Sequence, residues 1–294
     1  MRFGVFNPPE GASGGRRLAV IEAEQAVDVT DLLGLDPHHP GGPLHHLLEQ
    51  GPGTLPDAPS PTAPRRPVAE LAWEAPLPRP GKLMGAPANY YDHVDEMPDS
   101  ATITEWGLFL KAGTSTLGHG GVVRLPWSDR RTDHEGELGV VIGRTARHVP
   151  AERALEHVFG YTCVLDITVR STEDRSLRKS FDTFTPMGPW VVTADEIPDP
   201  GDLELSCSVN GELRQHTSTA KLIYGVAELI AYASAAMTLH PGDVIATGTP
   251  AGVGPLADGD TVQVDIDAVG SLMVTVSAEG AIPYQARPGS KVSR

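Results

Sequence analysis

Cysteine is scarce: two in 294 residues, and neither Cys163 nor Cys207 stands in a CxxC or other zinc spacing. Disulfide scaffolding and cysteine-based zinc binding are therefore excluded, and reduced thiols in a cytoplasmic protein are the plain reading. Long apolar runs are also missing. No stretch approaches the roughly 20 apolar residues that span a bilayer, and the N-terminus, MRFGVFNPPEG, has no secretory-type apolar core. Neither a membrane partner nor export is expected. Basic residues are in short supply, with 23 Lys and Arg against 38 Asp and Glu. The resulting net charge of -15 repels phosphate backbones and argues against nucleic acid. It also means that an anionic substrate would need local cations at its site. What is present is ordinary globular usage, 40% hydrophobic and 21% charged, enough for a real core.

Along the chain, residues 1 to about 35 hold apolar runs of strand length, RLAVIEA and AVDVTDL. Residues 52–80 carry nine prolines in 29 positions, which disfavours helix and interior strand and predicts an extended linker or surface wrap. This boundary divides the chain into a small N-terminal domain with its Pro-rich linker, residues 1–75, and a larger domain, residues 76–294. In the larger part, residues 138–142 (LGVVI) read as a buried strand ended by Gly143. Residues 151–159 read as a helix with Ala154, Leu155 and Val158 on one face, and 161–169 as a second β-rich run. Residues 203–209 alternate ahead of Asn210-Gly211, the pair that a type I′ hairpin turn favours. Residues 223–239 have helical spacing and stop at His240-Pro241-Gly242-Asp243; residues 243–247 and 261–266 are further strands. Few helices among crowded strands predict an α+β fold, mainly β, rather than regular βαβ alternation.

Several side chains could carry chemistry. Glu135 and Glu137 flank Gly136 just before the apolar strand, so in an extended chain both carboxylates share one face. Such a pair either faces solvent or shares a cation. Asp166, between Leu165 and Ile167, is costly to bury unless it is paired, with Arg170 four residues on, or coordinates a metal. Three carboxylates suit a hard divalent cation, Mg2+ first. Zinc is not indicated, because Leu138 stands where an HExxH motif needs its second His. His93 and Glu96 have the i, i+3 spacing that puts them on one face of a helical turn. There Glu96 could orient the imidazole as a general base, or the segment is an acidic surface turn, with Asp92 and Asp95 beside it. Lys179 is either a point charge for a substrate carboxylate or enolate, or a solvated surface lysine. The glycine-rich stretch 248–254 lacks the GK[ST] of a phosphate loop and does not fit GxGxxG. It is a tight turn, or a nest of N–H groups that could receive a carboxylate with help from the Thr249 hydroxyl.

The collinear order of these segments is more specific than any one of them. NYYDHVDE, DHEGELGVVIGR, GYTCVLDITVR, RKSFDTFTPMGPW, VNGE, HPGDVIATGTPAGVG and a closing GDTVQVDI strand, over about residues 80–278, resemble the fumarylacetoacetate hydrolase family. The likeness is to its smaller acylpyruvase and 2-hydroxyhepta-2,4-diene-1,7-dioate isomerase branch, and the front segment resembles the short N-terminal domain many members carry. The resemblance implies rolled mixed β-sheets in a homodimer and a divalent metal (Mg2+, or Mn2+ or Ca2+) on Glu135, Glu137 and Asp166. It makes His93 and Glu96 the water-activating pair and Lys179 the lysine that binds the oxo-acid. Arg170, Thr249 and, more distantly, Lys111 match substrate-contacting positions. Two positions depart from the pattern: Leu165 replaces the usual Asn before the metal aspartate, and Ser171 to Asp174 replace a stretch where a Gln commonly contacts substrate. Both bear on substrate identity rather than on the metal.

The expected function is hydrolytic cleavage of a C–C bond in a small anionic acylpyruvate or β-diketo acid. The metal chelates the oxo-acid end, His93 activates water, and a pyruvate enolate leaves. An isomerase, tautomerase or decarboxylase needs the same enolate without the attacking water. A non-catalytic binding protein on the same fold is the third reading, opposed by the intact carboxylates and HxxE.

Overall fold

The structure is a computed structural model that describes residues 1–8, 14–51, 61–97 and 101–289. Residues 52–60, the first part of the proline-rich stretch, lie outside the described residues. The fold is mainly β, and the longest of six α-helices among the described residues, Val226–Ala236, has 11 residues.

The strand Gly136–Ile142 is buried along its whole length, which explains its nearly unbroken apolar run. It pairs antiparallel with Val158–Leu165 on one side and Val244–Ala246 on the other. From there the large sheet runs outward through Thr185–Thr193 to Arg2–Asn7, Arg17–Glu22, Gln25–Asp28 and Arg65–Pro67. In the other direction it runs through Leu83–Gly85 to Phe109–Lys111. A five-stranded sheet packs against it, built from Glu212–Ser218, Glu204–Val209, Thr261–Ile266, Gly270–Ser277 and Val122–Arg124. The period of two along a strand sorts the side chains between two cores. Leu138, Val140, Cys163 and Leu165 join Leu205, Cys207, Val264 and Leu272 of the second sheet. Val141 and Val164 turn the other way, toward Phe3, Val5, Leu44 and Leu47.

The front of the chain is thus an extension of the large sheet. Phe3 pairs with Val191 in register, and the Phe3 ring lies 5.8 Å from that of Phe159. The later part of the proline-rich stretch forms two short edge strands, Arg65–Pro67 on Gln25–Asp28 and Ala72–Glu74 on Arg2–Asn7. Edge positions tolerate proline because no ladder donor is required on the outer side.

Other expectations are met with shifted limits. The hairpin turn has Asn210 at φ 53° and Gly211 at φ 77°, the positive pair that a type I′ turn requires. The helix expected over residues 151–159 is shorter: Ala151–Ala154 is α and Leu155–His157 is a 3-10 turn. Only Ala154 of its expected apolar face is buried, while Leu155 is 43% exposed. Val158 instead starts the strand opposite Ile142, so sheet pairing overrides helical propensity there. The long helix begins at Val226 rather than Ile223, because the Ile223 and Tyr224 N–H groups donate to Asn89.

If residues 1–75 are integral to the large sheet, Phe3→Ala destabilises the whole chain by about 3–5 kcal/mol in a single unfolding transition. Denaturant unfolding followed by fluorescence and circular dichroism reads this. A separate early transition, with the remainder unchanged, would show the front segment to be an independent domain.

Candidate active site

Register explains how three carboxylates meet. Gly136 pairs with Leu165, so the residues just beyond, Glu135 and Asp166, stand opposite each other, and the Asp166 N–H donates to the Glu135 carbonyl at 2.8 Å. Glu137 follows two residues later on the same face. Oxygens of Glu135, Glu137 and Asp166 all lie within 4.8 Å of one another, and the three residues are no more than 4% exposed. Solvent-facing alternation is thereby ruled out for the Glu135–Glu137 pair.

Three cations surround this cluster. Lys179 is buried, and its ammonium donates to Glu135 Oε2 at 2.6 Å, Asp166 Oδ2 at 2.7 Å and Thr168 Oγ1 at 2.6 Å. Lys111 donates to Asp166 Oδ1 and, at 2.9 Å, to the Phe184 carbonyl. Arg170 reaches Asp133 at 2.7 Å through Nε and Glu135 at 3.0 Å through Nη2. The arginine near Asp166 in sequence therefore serves Asp133 and Glu135, and lysines serve Asp166. Burial pushes Glu135 up, but Lys179 and Arg170 outweigh it and hold the carboxyl well below the usual range. Glu137 goes the other way: burial, then the charges of Asp166 and Glu135, push it well above that range. Its one hydrogen bond here comes from the Gly248 N–H, at 2.7 Å.

The glycine-rich turn does receive carboxylates, and they are the protein's own. Besides Gly248 on Glu137, the Gly252 N–H donates to Glu96 Oε1 at 3.2 Å and the Ala251 N–H to Asp92 Oδ1 at 3.4 Å. Gly252 has φ +97°, and a Cβ there would meet the Arg214 carbonyl oxygen at 2.0 Å, so only glycine fits. These bonds fasten the helix Tyr91–Glu96, whose entry is held by fully buried Asn89, donating to the carbonyls of Tyr224 and Thr247. On that helix His93 Nδ1 lies 3.2 Å from Glu96 Oε2, with His93 only 6% exposed. When Nδ1 carries the proton toward Glu96, Nε2 keeps a free lone pair. Thr249 donates its hydroxyl to the Gly136 carbonyl at 3.0 Å and accepts from Gln215 at 2.8 Å.

One cleft collects His93, Glu135, Glu137, Asp166, Arg170, Lys179 and Thr249. Glu96 and Lys111 stand behind this set, one on His93 and one on Asp166. The two departures expected to tune substrate do not reach the cleft. Leu165 is fully buried in the core, and Glu173 is held by the Tyr284 hydroxyl and Arg287. Residues that sequence reasoning missed do line it: Arg175, Arg178, Trp106 and Phe109. The i, i+3 spacing of the two arginines, in a chain poor in cations, was the available signal.

Comparison with known proteins identifies the family of the chain. Residues 82–277 match the family described as Fumarylacetoacetate (FAA) hydrolase C-terminal. Maleylpyruvate hydrolase of Aquipseudomonas alcaligenes is 44% identical over 280 residues, covering 88% of this chain and 96% of its own. The crystal structure of maleylpyruvate hydrolase from Sphingobium sp. SYK-6, in complex with manganese(II) and pyruvate, is similar with a TM-score of 0.83. It is 39% identical and the match covers 95% of this chain and 99% of that one. The oxaloacetate tautomerase of Bacillus subtilis is 41% identical over 219 residues, 70% of this chain and 73% of its own. A hydrolase and a tautomerase are thus both similar to it in sequence, and the chain is an enzyme of the fumarylacetoacetate hydrolase family.

Proposed function

We propose that the chain is a divalent-metal-dependent hydrolase that cleaves the C–C bond of an acylpyruvate and releases pyruvate through its enolate. The observation that carries this reading is the shared cleft: three buried carboxylates within 4.8 Å of one another, with the His93–Glu96 pair opening onto the same space.

The donor set fits a hard divalent cation. All three donors are carboxylate oxygens, and Glu137 is under strain from its neighbours' charge that a cation would reverse. Glu135, Glu137 and Asp166 would hold Mn2+ or Mg2+, which when bound supplies Lewis-acid polarisation to the carboxylate and 2-oxo group of the substrate. The manganese–pyruvate complex of the Sphingobium relative supports both the cation and the oxo-acid.

This chain's own residues do the rest. His93 Nε2 takes a proton from water, and Glu96, fixed by the Gly252 N–H, stabilises the imidazolium that results. The hydroxide adds to the acyl carbonyl, the bond to C3 breaks, and its electron pair becomes the pyruvate enolate. Lys179 has all three protons committed to Glu135, Asp166 and Thr168, so as placed it aids the enolate by its charge and by fixing the ligands. Lys111 acts likewise through Asp166, while Arg170 and Thr249 border the cleft within reach of the oxo-acid. The imidazolium finally returns its proton to C3, completing pyruvate.

The tautomerase relative favours a second reading, in which His93 delivers a proton and no water attacks. Hydrolysis is preferred because the Aquipseudomonas hydrolase is 44% identical over 280 residues, against 41% over 219 for the tautomerase.

Chelation is expected to abolish turnover, and Mn2+ or Mg2+ to restore it. Glu137→Gln removes activity with the circular dichroism spectrum unchanged; full activity in verified metal-free protein contradicts the metal assignment. Removing the proposed base tests the role of His93. His93→Asn should cut acylpyruvate cleavage by about 10²–10⁴-fold yet bind oxalate, a mimic of the pyruvate enolate, with affinity close to that of the parent protein. If it cleaves at more than a tenth of the parent rate, His93 is not the base.

A further inference from the structure

We infer that Arg175 and Arg178 form a receptor for a second carboxylate at the acyl end of the substrate, so that the enzyme prefers dianionic acylpyruvates. This rests on the acylpyruvate reading for the direction in which the substrate lies.

The inference comes from asking where each cation of the cleft is already engaged. Lys111, Lys179 and Arg170 are all bonded to protein carboxylates. Arg175 and Arg178 line the same cleft and make no ion pair among the described residues. Arg175 Nη1 and Arg178 Nε are shut away from solvent without a hydrogen-bond partner. A guanidinium cannot lose its charge to relieve such burial, as an amine can. The two residues are three apart on the short helix Arg175–Arg178, so they share a face and repel. A carboxylate between them would satisfy the idle N–H groups and cancel the repulsion, and its planar pair of oxygens matches the guanidinium fork.

Position assigns that carboxylate to the acyl end. The pyruvate end belongs at the three acids, next to Lys179. Arg175 is farther out: its guanidinium stacks 4.2 Å from the Trp106 ring, and Trp106 is 43% exposed. The Phe109 ring lies between the two regions, 5.1 Å from the Lys179 ammonium and 5.9 Å from the Arg175 guanidinium. Stacking holds Arg175 in place without neutralising it. The cleft therefore has a set of cations paired with its acids and two guanidinium groups that are not, of which Arg175 lies the farther out.

The test compares kcat/KM for maleylpyruvate, which carries the second carboxylate, and acetylpyruvate, which lacks it, with Mn2+-loaded full-length protein. The parent protein is expected to prefer the dianion. In Arg178→Gln and Arg175→Gln that preference should shrink by about 30-fold, the scale of one lost charge-assisted contact, and Arg178→Lys should recover part of it. Equal losses on both substrates, or a parent enzyme that does not discriminate, would overturn the receptor. If neither acid is cleaved, the hydrolase reading fails and binding decides the receptor separately. Calorimetric titration with maleate and with (Z)-crotonate, in the presence of Mn2+ and oxalate, should then show maleate at least about tenfold tighter. That margin should vanish in Arg178→Gln; equal affinities, or a loss of oxalate affinity as large as that of maleate, would sink the assignment.

Discussion

Carboxylates are expensive to bury, and this fold buries three of them, Glu135, Glu137 and Asp166, around one point, with a fourth, Asp133, joined to them through Arg170. Much of the structure around the cleft can be understood as the answer to that cost. Lys111, Lys179 and Arg170 supply three positive charges against the four negative ones, and Arg131 adds a partly exposed contact to Asp133. Among the described residues Glu137 is the one member of the cluster with no ion pair, held by the Gly248 N–H, so it is where a cation would relieve the repulsion. An anionic protein thereby keeps one group of carboxylates suited to a cation, while under the proposed function the arginines around it attract the anionic substrate. Their attraction is local and lightly screened, so it outweighs the unfavourable net charge at a distance.

The cluster also dictates which parts of the chain must be rigid. Its members come from a strand start, a strand end, a short helix and the edge strand Phe109–Lys111, so no single element could move without breaking an ion pair. The proposed base, His93, arrives on yet another element. Helix Tyr91–Glu96 is too short to be stable alone. It is held at one end by Asn89 and at the other by the turn at residues 248–252, the same turn that touches Glu137. The helix that carries the proposed base and one of the proposed metal ligands, Glu137, are thus tied to the same loop.

Much of this was legible in the sequence. The apolar run at residues 138–142, the alternation before Asn210-Gly211 and the helical spacing of His93 and Glu96 are local signals, and the structure follows them. The Glu135–Glu137 pair was legible as a shared face, and Asp166 as a carboxylate too costly to leave alone. What was hidden depends on pairing between distant segments. Lys111 meets Asp166 across 55 residues, and Gln215 reaches back 79 residues to the Gly136 N–H. No periodicity reports such contacts. Leu165 stands where the family usually has Asn, and the resemblance ties that position to substrate, but alternation along the strand turns it into the core instead. Arg175 and Arg178 lie on a short polar segment, and only the fold shows that they face the cleft.

The central claim is that this site adds water across a carbon–carbon bond. Mass analysis of the products formed from an acylpyruvate in ¹⁸O-labelled water, with Mn2+-loaded protein, tests it most directly. The account predicts one labelled oxygen in the carboxylate of the acid derived from the acyl group, formed in step with pyruvate. Recovery of the substrate as a tautomer, or release of carbon dioxide, with no labelled acid would contradict it.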